Sequence, residues 1–407
     1  MRLLLYGLNF APEPTGVGKF SGEMAAWLAR RGHDVRVVAA PPYYPSWRRD
    51  ASVALWREEL WRGVRVYRAP LYVPQRPTGG TRLAHLLSFA AASLPLAWWQ
   101  AVGFHPEAVL AVAPTLMTAP GALAAATLAR ARTWLHVQDF ETEAAFGLGI
   151  VGGAAVRNAG LGAEGWLLRR FDRVSTISQP MLRRLIDKGV SPERARLVPN
   201  WADLEAIRPL AAPSPLRAEL GIPPDTLVAL YAGTLGTKQG LDILPEAARS
   251  LRDAPHILIA IAGEGPARAG LAEATQGLAN VALLPLQPPE RLNDLLNLAD
   301  LHLLPERPEA ADLVMPSKLG GMLASGRPVV AAVRPDRSAA HGMAGAGTLV
   351  PPGDAAALAA AIRALAADPA RRAALGAEAR RLAERDWNGE RILVSLEEDL
   401  RRLINVQ

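Results

Sequence analysis

Short apolar runs with β character return along this chain at intervals that leave room for a helix between them. That rhythm restricts the fold more than any other feature. In the first half the runs fall at 3–6, 35–40, 64–68, 108–112, 133–137 and 174–177. Helical patterns at 21–31 and 179–188 follow two of them and stop at Gly32 and Gly189. Strands alternating with helices argue for parallel sheets in α/β layers. The Pro-rich stretch PLAAPSPLRAELGIPPD, 209–225, then reads as a linker. Beyond it the rhythm restarts, with runs at 227–232, 256–262, 281–284, 300–304 and 328–333, a helix at 316–324 and a helical, arginine-rich tail from Pro369. The expected fold is α/β, with two Rossmann-like, doubly wound domains at 1–208 and 226–385. A C-terminal helix, 386–407, is expected to pack back on the first domain. In such sheets ligands bind beyond the carboxyl ends of the strands, so the expected site is a cleft where the two halves face each other.

The loops decide what kind of ligand. FAPEPTGVGKF, 10–20, follows the first strand and carries Gly16, Gly18 and Lys19. It is not a P-loop, because Glu13 stands where a glycine is needed and Phe20 where Ser or Thr is needed. It is not a dinucleotide loop either, since the third glycine, Gly22, comes one residue late. A second loop, YAGTLGTKQG, 231–240, joins a strand to a helix. Its glycines let backbone amides approach an anion, the next helix N-terminus adds positive potential, and Lys238 can neutralise a phosphate. The bland alternative is a plain turn with a solvent lysine. A third segment, DLVMPSKLGGMLASGRPVV, 312–330, sets Ser317 and Lys318 in the first turn of a helix, where anions are favoured. In the fourth, LHVQDFE, 135–141, His136 and Asp139 sit at a strand end, as site groups or as a structural histidine and a solvated turn.

Composition narrows the partners. A net charge of +6 favours anionic ligands, yet the arginines are spread along the chain, which weighs against nucleic acid. With no cysteine, disulfides and thiolate metal sites are excluded. The seven histidines show no paired metal-ligand spacing, and no D-x-D exists to clamp a metal–diphosphate. No metal and no resident cofactor are therefore expected. Only four of the 45 basic residues are lysine: Lys19, Lys188, Lys238 and Lys318. Three of these lie in the loops above, where a compact ammonium differs from an arginine fork. The N-terminus does not read as a signal peptide. The segment 83–104 has no charged residue and is about long enough to span a bilayer. His85, Ser88, Ser93, Gln100 and Pro95 favour a buried or interfacial helix instead, and Trp98 and Trp99 suit an interface.

These residues together resemble the family 4 glycosyltransferases, retaining enzymes of the GT-B fold. More narrowly, they resemble the subgroup of bacterial exopolysaccharide assembly of the colanic acid type. The likeness runs nearly end to end. It is carried by YGLNFAPEPTGVGKFSGEMAAWLARRGHDVRVVAAPPYYPSW, RAPLYVPQRPTGGTRLAHLLSF, LHVQDFE, STIS, VPNWAD, YAGTLGTKQGL, IAGEGP and ADLVMPSKLGGMLASG. The resemblance implies that the loop at Gly16, Val17 and Gly18 faces the donor's diphosphate and sugar, with Lys19 helping there or capping the next helix. It places Gly233, Thr234 and Lys238 at the diphosphate, Gly263 and Glu264 at the base or ribose, and His136 near the transferred sugar with Asp139 beside it. The chain also departs from the family pattern. Thr234 replaces the usual arginine, and Leu313 and Gly321 occupy the places of two glutamates. Asp312, Ser317 and Lys318 are the expected substitutes.

The implied reaction is transfer of a sugar, with retention, from a nucleotide sugar to a saccharide on a polyprenyl diphosphate. GDP-fucose is the donor that the subgroup suggests. Tyr43, Tyr44 and Trp47 of PPYYPSW are candidates to stack on the acceptor, with core packing as the alternative for each. The expected location is the cytoplasm, peripheral on the inner face of the plasma membrane. Two rival readings are a GT-B sugar-nucleotide epimerase and a non-catalytic nucleotide-sugar-binding partner.

Overall fold

The computed structural model describes residues 1–405 except 14–15, 45–46, 49–55, 76–77, 114–115, 141–153, 237–238 and 309–315. The chain divides into two compact units, one of Met1–Pro199 with Glu390–Gln407 and one of Asn200–Gly389.

Unit 1 is built on an eight-stranded sheet. Its strands are β1 (Arg2–Gly7), β2 (Asp34–Ala39), β3 (Arg57–Trp61), β4 (Val64–Arg68), β5 (Ala108–Ala113), β6 (Arg132–Val137), β7 (Arg173–Thr176) and β8 (Ala195–Leu197). Their spatial order is β3-β4-β2-β1-β5-β6-β7-β8. Among the described residues only the β3–β4 pairing is antiparallel. The central strands are buried on both faces, with Leu3–Gly7 of β1 and all of β5 inside, as parallel sheets covered by helices require. The helices are α1 (Gly16–Arg30), α2 (Gly79–Phe104), α3 (Ala119–Ala129), α4 (Ala154–Leu168) and α5 (Gln179–Asp187). α5 shows why such helices start where they do: Ser178 Oγ accepts from the Met181 amide and Pro180 sits in the first turn. After β2 and β4 form on one side of β1, the chain crosses to β5 on the other side. The loops after β1 and β5 therefore flank a switch point, where α/β sheets place ligands.

Unit 2 carries an all-parallel sheet of six strands: β9 (Leu227–Ala232), β10 (Ile257–Ala262), β11 (Val281–Leu284), β12 (Leu301–Pro305), β13 (Val329–Ala332) and β14 (Gly347–Val350). The order is β11-β10-β9-β12-β13-β14, so the switch lies between β9 and β12. Its helices are α6 (Pro215–Glu219), α7 (Ile243–Ser250), α8 (Arg268–Ala274), α9 (Leu292–Leu298), α10 (Ser317–Ala324), α11 (Ser338–Gly342), α12 (Ala355–Ala367) and α13 (Pro369–Asp386). Apolar clusters fill both faces of this sheet. The last helix, α14 (Gly389–Asn405), belongs to unit 1. There Leu393, Leu396, Leu400 and Leu403 are buried, and Trp27 Nε1 of α1 donates to Glu390 at 2.6 Å.

Three expectations need correction. The segment 209–225 is not a linker. It belongs to unit 2, where Ser214 caps α6, Leu216 is buried, and the Leu210 amide donates to Asn297. The boundary falls at 199/200 instead of 208/209. Gly16, Val17 and Gly18 are not a free loop but the first turn of α1, which begins five residues earlier than its apolar pattern suggests.

Candidate active site

In unit 2 the loops after β9 and β10 are joined along their backbones. The Gly233 amide donates to Ala262 O at 3.0 Å, the Leu235 amide to Glu264 O at 2.9 Å, and the Ala267 amide to Leu235 O at 2.8 Å. This pairing leaves no room for a side chain at position 263. A Cβ on Gly263 would stand 1.9 Å from Gly233 O, and Gly263 has φ +145°, a backbone that other residues rarely adopt. The loop after β9 also abuts the end of β12, because a Cβ on Gly240 would meet the Glu306 carbonyl carbon at 2.8 Å. Three loops thus converge at the carboxyl edge of the sheet, on its switch point.

Lys318 enters the same place from the first turn of α10. Its Nζ lies 4.1 Å from the centre of the Tyr231 ring, and its Cδ lies 3.5 Å from where a Gly233 side chain would begin. Burial pushes its pKa down to about 7, against the pull of Glu306. Tyr231, itself buried, holds the ring in place by donating its hydroxyl to Thr234 O at 2.8 Å. Ser317 is exposed at the head of α10, and Thr234 is exposed beside Gly233. Glu264 is exposed and lies 3.5 Å from Arg268, which donates to Gly263 O at 2.7 Å and Leu284 O at 3.1 Å. Gly233, Thr234, Gly263, Glu264 and Lys318 are therefore brought together. Lys238 and Asp312 lie outside the described residues.

In unit 1, His136 is the penultimate residue of β6, at the carboxyl edge of the sheet. Its Nδ1 is 2.8 Å from Ser175 Oγ, which accepts from Trp134 Nε1 at 2.8 Å. Burial alone takes its pKa down to about 4, so the ring is neutral near pH 7. Asp139 is half-buried two residues beyond the strand. At the head of α1, the space at Gly18 is already used: a Cβ there would lie 2.4 Å from Glu13 Oε2. The Glu13 carboxylate is buried and accepts from Asn9 Nδ2 at 3.0 Å and from the Tyr43 and Tyr44 amides at 3.3 and 3.1 Å. Gly18 thus leaves room for this internal clamp. Lys19 pairs with Glu23 at 2.9 Å along the helix surface. The Tyr44 ring passes 3.9 Å from the position of a Gly16 Cβ and is 38% exposed. Tyr43 is buried, edge-on to His85 and Trp47, and so is a core residue and not an acceptor platform. Trp47 is half-buried against the same ring.

Known proteins give this geometry its family. Residues 15–201 match the model described as a glycosyl transferase 4-like domain, and residues 226–368 match the one described as glycosyl transferases group 1. WcaI of Escherichia coli, a glycosyl transferase named for colanic acid biosynthesis, is 42% identical over 335 residues, 80% of this chain and 82% of that protein. This chain is a family 4 glycosyltransferase. A D-inositol 3-phosphate glycosyltransferase of Kineococcus radiotolerans is 32% identical over 244 residues, 54% of this chain and 55% of that one. Among solved structures, the sucrose-phosphate synthase of Thermosynechococcus elongatus has a TM-score of 0.70 at 19% identity, with both chains fully covered. Anabaena HepE in complex with UDP and glucose has a TM-score of 0.69 at 19% identity, covering 99% of this chain and 100% of that one. The fold is GT-B.

Two groups that shape this glycosyltransferase escaped the sequence reading. Glu13 registered only as the residue that spoils a P-loop. Besides the nearby Asn9 side chain, its partners are backbone amides about thirty residues away, which leave no side-chain signal. Arg268 opens α8, four residues after Glu264 of the preceding loop, and it acts on the loop carbonyls of Gly263 and Leu284, which carry no side-chain signal.

Proposed function

We propose that this glycosyltransferase moves a sugar, with retention, from a nucleotide sugar to a saccharide carried on a polyprenyl diphosphate, in bacterial exopolysaccharide assembly. The observation that carries the donor half is the joined glycine loops of unit 2 with Lys318 at their side. As the nucleoside diphosphate leaves, negative charge builds on its phosphate oxygens. Fixed amides and ammonium groups stabilise that charge most strongly where water is thin. Lys318, Lys238 and the amides at the head of α10 are assigned this role, with Ser317 as a hydroxyl donor. Asp312 is assigned to the sugar hydroxyls and Glu264 to the ribose or base. The neutral His136 ring and Asp139 are assigned to hydrogen bonds with the transferred sugar. The route is front-face: the bond from the anomeric carbon to the phosphate oxygen breaks, the acceptor oxygen bonds on that same face, and the departing phosphate takes the acceptor proton. Cationic side chains supply the stabilisation, so no metal is required. The named role of WcaI supports the exopolysaccharide setting, and the HepE structures with UDP and UDP-glucose support the donor class. GDP-fucose is the first donor to try. The lipid-linked acceptor sets the work at the cytoplasmic face of the plasma membrane.

The test is thermal stabilisation by UDP, GDP, ADP and NAD, with and without EDTA, on the wild type, Lys238→Ala and Lys318→Met. The expected result is a shift with one nucleoside diphosphate, insensitive to EDTA and lost in both variants. No shift with any of them rejects the donor site. Turnover of the nucleotide sugar to its epimer without acceptor supports the epimerase, and binding without turnover on any acceptor extract supports a non-catalytic partner.

A further inference from the structure

Helix α2 has its polarity reversed. Its buried stripe is His85, Phe89, Ser93, Ala97, Gln100, Ala101 and Phe104, and this inward face holds its polar groups. Ser93 Oγ is 2.7 Å from Tyr6 Oη, Gln100 Oε1 accepts from Arg36 at 3.0 Å, and His85 Nδ1 meets Tyr72 O at 2.5 Å. The outward face is apolar: Leu83, Leu87, Trp98, Trp99 and Val102 follow helical spacing, with Trp99 56% and Val102 59% exposed. Trp56 joins them, lying across the helix with its indole N–H on Ala92 O at 3.1 Å. Among the described residues α2 is also the one helix long and apolar enough to cross a membrane. Its inward hydrogen bonds exclude crossing, because they fix it as a covering layer of the unit 1 sheet. A helix facing water carries its polar residues outward. This one is built for an apolar medium on its outer side.

We propose that the outer face of α2 lies in the surface of an anionic bilayer, with the helix axis in the membrane plane. From Leu83 to Val102 the stripe runs about 29 Å, all of it available from the side. It has no charged residue from 83 to 104, and hence no polar rim of the kind that sets register in a protein–protein interface. It carries tryptophans, which favour the headgroup boundary. Arg82 is exposed at its N-terminal end. A cation bordering an uncharged stripe complements anionic headgroups. The purpose of this docking rests on the lipid-linked acceptor proposed above, but its geometry does not.

The experiment is flotation of the purified full chain with phosphatidylcholine vesicles, and with vesicles containing about one quarter phosphatidylglycerol, neither holding any saccharide lipid. The wild type is expected to float with the anionic vesicles and to be released as salt is raised. Trp98→Glu combined with Trp99→Glu is expected to lower the floated fraction at least about tenfold, while Leu286→Glu, an exposed leucine of unit 2, leaves it unchanged. Quenching of wild-type tryptophan fluorescence by bromine-labelled lipid chains gives the same answer without a variant. Failure to float, or a double variant that floats like the wild type, overturns the proposal. So does a wild-type dimer that the double variant splits without any flotation, since the occupant is then a second copy. Flotation without sugar transfer rejects the proposed reaction and leaves this surface standing; transfer without flotation does the reverse.

Discussion

A lysine ammonium held over a buried tyrosine ring loses hydration. Lys318 is in that position, and its pKa falls from 10.5 to about 7 through burial, with Glu306 as a partial counterweight. The sign of the consequence is fixed. The folded protein disfavours the charged form relative to the unfolded chain. Lys318 therefore costs stability in full below about pH 7, and the cost fades as the pH rises toward the unfolded value. Lys318→Met is expected to raise the ligand-free unfolding free energy near pH 6.5 by roughly 1 kcal/mol once solvent screening is allowed for, read as a higher melting temperature. The same substitution is expected to weaken nucleotide-sugar binding. A bound diphosphate favours the ammonium, so binding takes up a proton above about pH 7. Affinity should then fall by up to about tenfold per pH unit toward pH 8.5, and the slope should vanish in the variant. Calorimetry in buffers of different ionisation enthalpy reads that proton directly, and an unchanged slope in Lys318→Met would reject the assignment.

The loops after β9 and β10 act as one element because their amides and carbonyls bond to each other. Gly263→Ala sets a Cβ against Gly233 O in a backbone unsuited to alanine, so it is expected to cost about 3 kcal/mol or more in urea unfolding. Gly270→Ala, on α8 with open space around it, is expected to be neutral or slightly stabilising. Equal effects of the two would mean that the joined loops contribute nothing. At this scale the interior strands were legible, because parallel strands buried on both faces advertise themselves as apolar runs, whereas β3, β8 and β14, short strands at sheet edges, were not. Nor was the start of α1. Gly16, Val17 and Gly18 lack the apolar pattern that marks a helix; Gly18 lies beside the buried carboxylate of Glu13, which accepts from the amides of Tyr43 and Tyr44. The stretch 209–225 misled through its prolines, although Ser214 before Pro215 is itself a helix-start signal. Lys318 and His136 were found by position, as a first helix turn and a strand end. Tyr43 and Trp47 could not be told from core residues until His85 of α2 was seen packed against Tyr43.

Across the whole molecule the units are not consecutive stretches of chain, since α14 follows unit 2 in sequence and completes unit 1. Glu397 of α14 is the anchor. It is hydrogen-bonded to Arg401, His33 and Arg31, which hold its pKa at about 2 against the upward push of burial. A fragment of residues 1–199 alone leaves the surface under Leu393, Leu396, Leu400 and Leu403 open. It is expected to aggregate or melt at least about 5 °C below the same fragment supplied with a peptide of residues 389–405. Equal solubility and melting with and without the peptide would show that α14 is dispensable to unit 1. The arrangement also sets a schedule. A ribosome releases the chain in order, so unit 2 is finished before the cover of unit 1 has been made. Synthesis of the intervening stretch takes about ten to forty seconds at bacterial to slower rates. During that interval the nascent first half presents an uncovered apolar groove, a grip for holding chaperones and a reason for this chain to be sensitive to anything that stalls translation late in the message.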